Sequence, residues 1–243
     1  METLLRRDTV VGIIRATIVI QLATLVACYA IWVVEGCDPF VPFISDTDTN
    51  SVSGAYFTIG FTISGILLTI IGAQSYFLRR NWAASNMGEG SIGTLNLLSS
   101  ISAIVAGMSL AWIADTPWHE QMELHLVQAR LVFGGSIVWA ISSTLISSRM
   151  AEADPVFSEL TAVRRRRTSF TFLCMVVMVV SVVSYSGISL AVPASYLDLV
   201  RVCTELDVTA LSIAATFEWL VAFGLIGVIE TCIEETRLLS DEP

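Results

Sequence analysis

Lysine is absent from this chain: all thirteen of its basic side chains are arginine, set against 22 acidic ones. That absence excludes any mechanism that needs a Schiff-base lysine, lysine-linked retinal included. It also excludes a phosphate loop of the Gly-Lys-Ser/Thr kind. Charge of both signs is scarce, at 14% of 243 residues, where a soluble domain carries roughly 25%. Histidine occurs twice, and no serine sits in a Gly-x-Ser-x-Gly elbow, so the usual hydrolase nucleophile is missing. A net charge of -9 with no basic aromatic surface gives no footing for nucleic acid. No cofactor is implied. An acidic, lysine-free surface suits a salt-rich environment, because carboxylates stay hydrated there. A halophilic microbial source is one reading; a GC-rich genome that replaces lysine with arginine is the other.

What the chain has in abundance is apolar sequence. Hydrophobic residues make up 54% of it, and the mean hydropathy is +0.73. A bilayer core about 30 Å thick needs roughly 20 apolar residues per helix. Six runs meet that length: about 10–34, 54–78, 92–114, 126–147, 169–192 and 208–233. The first is too long for a signal-peptide core and is not followed by a cleavage pattern, so it reads as a retained span. The expected fold class is all-α, a polytopic membrane protein in which residues 1–243 form a single domain of six transmembrane helices.

Ten of the thirteen arginines fall in the gaps on one side: Arg6, Arg7, Arg79, Arg80, Arg149, Arg164, Arg165, Arg166, Arg167 and Arg237. The opposite loops hold a single arginine, Arg201, beside ten acids, among them Asp46, Asp48, Asp115, Glu120 and Glu123. The positive-inside rule then puts both termini in the cytoplasm. The run Arg164–Arg167 is a topology signal, and it also has the charge to bind anionic lipid headgroups at about 1 kcal/mol per residue. The segment 148–168 around it reads as a mobile, partly helical connection.

Lipid gives helices no hydrophobic reason to associate, so small-residue faces mark contacts. Thr58, Gly65 and Gly72 form such a stripe in span two, flanked by Thr62 and Thr69. Ala129, Ser136, Ala140 and Ser143 form another in span four, and His125 shares its face at about 100° per residue. Polar residues deep in spans demand partners or a watered cavity. Arg15, Asn96 and Glu218 are the candidates for an intramembrane polar pocket, with Arg15 and Glu218 as an expected pair. Arg130 lies one to two turns into span four.

Thr116 and Pro117 are suited to capping a helix that extends span four above the membrane. On it Asp115, His119 and Glu123 would share a face, a weak metal candidate that lacks the second histidine of His-Glu-x-x-His. Cys28, Cys174 and Cys232 lie in or at spans and read as packing residues. Cys37 and Cys203 both lie in the acidic loops, where a bridge between them would persist.

Three segments resemble one family. Pro42-Phe43-Ile44-Ser45-Asp46-Thr47-Asp48-Thr49 is similar to the Pro-x-Ile-Ser-Asp-Thr-Gly segment of the damage-regulated autophagy modulator (DRAM)/Frag/Sfk family. His125, Ala129 and Phe133 resemble its His-x-x-x-Ala-x-x-x-Phe pattern, and Phe217-Glu218-Trp219 its aromatic-flanked Glu-Trp or Glu-Tyr. Asp48 departs from it, standing where the family often has glycine. The resemblance implies a lipid-linked role: relatives remodel the lipid of glycosylphosphatidylinositol anchors, organise phosphoinositide kinase at the plasma membrane, or act in autophagy at lysosomes.

Three functions follow as expectations. The first is a non-enzymatic protein that binds or organises membrane lipids, and with them another membrane or peripheral protein, in the cell membrane or, in a eukaryote, a lysosomal or Golgi membrane. The second is a lipid-remodelling enzyme with His125 as base, Asp46 orienting it and Arg130 holding phosphate. The third is a small-solute transporter using Arg15 and Glu218.

Overall fold

The computed structural model describes residues 2–37, 39, 41–49, 51–87, 90, 92–186 and 209–240. Six of its helices are long and apolar enough to cross a membrane. They are span one (Arg7–Val34), span two (Ser51–Asn86), span three (Gly93–Ile113), span four (Met122–Ala153), span five (Ser158–Ser186) and span six (Thr209–Ser240). A single turn, Glu2–Leu5, precedes them, and 3-10 turns occupy Ile44–Thr49 and Pro155–Phe157. No strand occurs among the described residues.

Local sequence sets where the helices stop. Span one ends in a Schellman closure: Cys37 N–H donates to Trp32 C=O and Gly36 N–H to Val33 C=O. Gly36 has φ +86°, a left-handed conformation that a side chain would strain. No glycine or proline interrupts span two between Gly72 and Asn86, so it runs past Arg79 and Arg80 rather than ending there. Span four likewise continues to Ala153. Pro155 then turns the chain, and span five begins at Ser158. The expected mobile connection is therefore almost wholly helical, and Phe157 at its bend is fully buried against Trp82 with ring centroids 4.9 Å apart. In the sequence the arginine run looks like a solvated loop, whereas it forms one more helical turn over a buried face.

Each span packs on its neighbours in sequence, and span six returns to span one, closing a ring. Spans two and three approach most closely. A Cβ at Gly65 would overlap the Gly107 carbonyl and the Ala111 amide of span three, so only glycine fits there. Apolar side chains such as Val19, Ile59, Met108 and Leu173 face outward, as a lipid solvent requires.

The arginine-rich end is pinned by an ion cluster. Glu235 of span six is 2% exposed and accepts from two buried guanidinium groups, Arg79 Nε and Nη2 at 2.9 and 2.8 Å and Arg164 Nη1 and Nη2 at 3.1 and 3.0 Å. Ser99 and Ser143 take further Arg79 donors, and Thr231 accepts from Arg164 Nε. Five of the six spans thus meet in the cluster around one carboxylate. Arg164 is 0% exposed, which withdraws it from the headgroup-binding role expected of the run. Arg167 pairs with Glu230 at 2.6 Å, while Arg165 and Arg166 remain exposed.

Removing one partner of a buried pair leaves an uncompensated charge and typically costs about 3–5 kcal/mol. Glu235→Gln is therefore expected to lower the melting temperature in detergent sharply. Arg237→Gln, which breaks only the exposed pair with Glu234, is expected to leave it nearly unchanged. Equal melting temperatures for the two variants would remove the cluster from this role.

Candidate functional site

At the acidic end the Ile44–Thr49 turn lies over the helix ends rather than out in solvent. Ile44, Asp46, Thr47 and Asp48 are all buried. The turn is stitched within itself: Asp46 Oδ2 accepts from Phe43 N–H at 2.9 Å, Thr47 Oγ1 donates to Ile44 C=O at 2.6 Å, and Thr49 Oγ1 donates to Asp46 C=O at 2.7 Å. Ser53 Oγ, at the start of span two, donates to Thr47 C=O.

Span six holds this turn from below. Glu218 Oε2 accepts from Ile44 N–H at 2.6 Å, and Trp219 Nε1 donates to Pro42 C=O at 2.7 Å. The Trp219 ring also meets Tyr29 of span one edge-on, with centroids 5.8 Å apart. Two segments that stand 174 residues apart in sequence thus interlock. The expected Arg15–Glu218 pair does not form. Glu218 is spent on a backbone amide, and Arg15 is exposed on the outside of span one. An arginine about 12 Å along a helix from its end reaches the interface by extending its stem, so no inward carboxylate is needed. The transporter reading loses the pair it rested on. Asn96 is buried elsewhere, its Nδ2 donating to Tyr76 C=O at 2.9 Å between spans two and three.

His125 is 4% exposed on the inward face of span four, with Ser136, Ala140 and Ser143 also buried along that face. Its Nδ1 lies 2.7 Å from the Thr116 carbonyl. A carbonyl only accepts, so Nδ1 carries a proton, and in the neutral ring Nε2 is the acceptor. The ring is oriented by a backbone carbonyl and not by Asp46, which corrects the arrangement expected of an Asp–His pair. Thr116 does not cap a helix: its hydroxyl donates to Trp112 C=O, and span four begins only at Met122. Asp115 and His119 therefore lie in the turns before the helix, off the shared face expected with Glu123. Among the described residues no group of three His, Cys, Asp or Glu side chains is arranged to hold a metal.

His125, Asp46 and Glu218 converge on a cavity of about 580 Å³ in the middle of the ring. Ligand sites are commonly about 300–1,000 Å³. Leu25, Phe57, Phe61, Ile137, Met178 and Ile226 are among its predominantly apolar walls, and Gln21 and Arg130 also line it. Arg130 is exposed, and no carboxylate among the described residues pairs with it. Of the residues singled out in the sequence, His125, Asp46, Arg130 and Glu218 line this cavity. Gln21 and Trp139 line it too, and their residue types on an apolar helix carry no site signature.

Cys37 is disulfide-bonded, and Cys203, the partner expected for it, lies outside the described residues. Cys28, Cys174 and Cys232 are free and buried.

The family described as Frag1/DRAM/Sfk1/Cwh43P N-terminal domain matches residues 11–235. The chain is similar to the human DNA damage-regulated autophagy modulator protein 1, at 26% identity over 220 residues, covering 88% of this chain and 85% of the relative. No solved structure matches it.

Asp48, 8% exposed, sits in the 3-10 turn, whose backbone does not require glycine. Burial pushes its carboxyl up to about 7, and the charges of Asp115 and Glu120 push it the same way. Its ordinary value is 3.8, so the folded chain holds a proton that the unfolded chain has released. Stability from this group is present below that ordinary value and is lost as pH rises through about 7. Asp48→Asn is expected to flatten the fall in melting temperature between pH 4 and pH 8 and to raise it by a few degrees at the alkaline end. Parallel melting profiles for the two proteins would contradict this.

Proposed function

The chain belongs to the Frag1/DRAM/Sfk1/Cwh43P N-terminal domain family, and on that premise we propose that it is a non-enzymatic membrane protein that takes lipid into its central cavity and thereby organises the lipid and proteins around it. One observation carries this reading. The two carboxylates that line the cavity are bonded to backbone amides, Asp46 to Phe43 N–H and Glu218 to Ile44 N–H, and the cavity walls are mainly apolar. A site that works through a covalent intermediate needs a side-chain nucleophile beside a base, with the base held by a third group. His125 is held by a carbonyl, and no nucleophile is placed against it among the described residues. An apolar void at membrane depth is, by contrast, what a hydrocarbon chain fills.

The human relative's name attaches it to autophagy, and family membership alone does not transfer that role. Six spans place the protein in a membrane as a multi-pass protein. We assign it to the cell membrane, with a lysosomal or Golgi membrane as the counterpart in a eukaryotic cell, and its arginine-rich end to the cytoplasm.

The enzyme reading keeps one support, the acceptor Nε2 of His125 at the cavity wall. Lipidomics of a strain lacking the gene separates the two. The expected result is no missing or accumulating lipid species, with His125→Ala restoring the deletion phenotype as well as the wild type does. A precursor that builds up, with its product depleted, and that His125→Ala fails to clear would make the protein an enzyme.

A further inference from the structure

The seam between spans four and five is closed at one end and open at the other. Toward the arginine-rich end the two helices are joined: Thr144 Oγ1 lies 3.0 Å from Thr168 Oγ1, and Thr161 Oγ1 donates to Ser147 C=O at 2.9 Å. Toward the acidic end the same two helices become opposite walls of the cavity, Ala129, Arg130, Phe133 and Gly134 on one side and Met178 and Val179 on the other. Several of these wall residues also reach the outer surface. Val179 is 47% exposed, and Arg130 and Gly134 are exposed as well. A Cβ built on Gly134 meets nothing within 4 Å. Arg130 and Gly134 stand one helical turn apart on one face. The cavity therefore reaches the lipid-facing side of the ring along this seam.

We propose that this seam is a lateral portal through which one acyl chain of a phospholipid from the leaflet at the acidic end enters the cavity, its phosphate resting on Arg130. The inference rests on the lipid-binding reading above and adds the route, the orientation and the headgroup chemistry. Charge complementarity selects the phosphate. Arg130 lies about 12 Å along span four from Met122, at 1.5 Å per residue, and has no carboxylate partner among the described residues. A charge at such depth requires a counter-charge or access to the headgroups. A guanidinium binds phosphate through paired donors, which an ammonium does not reproduce geometrically. Below Arg130 the path runs roughly 14 Å along the helix to Trp139, which lines the cavity and is 2% exposed. Between the two, the span-four residues that line the cavity are apolar except Ser136, so the chain portion that follows the phosphate inward is hydrocarbon.

The test uses native mass spectrometry of the delipidated full chain in mixed micelles with dioleoylphosphatidylglycerol or with dioleoylglycerol, which has the same chains and no phosphate. One phosphatidylglycerol per chain is expected, with occupancy by dioleoylglycerol about tenfold lower. Arg130→Gln is expected to lose about tenfold in phosphatidylglycerol occupancy, with Arg130→Lys retaining part of it. Gly134→Leu, whose Cβ enters open space at the portal, is expected to lose binding while keeping its melting temperature. Equal binding of both lipids, unaffected by Arg130→Gln, would overturn the phosphate assignment and leave an apolar lipid site standing. Full binding by a folded Gly134→Leu protein would overturn the portal. No adduct of either lipid on the wild type would overturn the portal and the lipid-binding reading together.

Discussion

A single carboxylate, Glu235, holds the ring together at one end. It takes four hydrogen bonds from two guanidinium groups that are themselves withdrawn from solvent. In a lipid solvent there is no hydrophobic pull between helices, so directional polar contacts and close packing set which spans meet. Arg79 brings span two to span six, Arg164 brings span five, and their remaining donors reach spans three and four through Ser99 and Ser143. With that end fixed, spans four and five need not touch along their whole length. Beyond Thr144 and Thr168 both helices line the central cavity.

The acidic end is closed by different means. The Ile44–Thr49 turn is a plug of backbone polar groups, and its own side chains satisfy many of them. Glu218 and Trp219 then anchor it on span six at two successive residues. An unpaired amide at membrane depth would cost several kcal/mol, which gives the plug a reason to sit only where these acceptors and donors reach it. The cavity thus lies between a charged clamp and a hydrogen-bonded plug, with its open side along one helix seam. The paired position of the turn and the Phe-Glu-Trp segment also gives a physical reason for two motifs far apart in sequence to occur together.

Much of this was legible in the residues. Six apolar runs gave six spans, and the small-residue stripes gave the inward faces of spans two and four, His125 included. The same logic, carried further, would have found the clamp. Thr58, Gly65 and Gly72 recur at seven-residue spacing, and the next step of that series is Arg79. On span six the inward positions Glu218, Val221, Val228 and Cys232 lead at helical spacing to Glu235. Arg79 and Arg164 were instead read as loop charges, because a positive-inside count assigns them by the end of hydropathy rather than by the end of the helix. The partner of Glu218 was not legible at all. It is the backbone amide of Ile44, and a backbone donor leaves no mark in the residue pattern. The cavity was equally hidden, since it arises from how the six spans pack around a centre and not from what their faces contain.

We propose that the cavity reached between spans four and five belongs to lipid. The most direct measurement is an experimental density map of the full chain in lipid nanodiscs. The account predicts a continuous acyl-chain density entering between Arg130 and Val179 and running toward Trp139, with headgroup density at the Arg130 guanidinium. Spans four and five packed against each other along their full length, with side chains filling the cavity, would contradict it.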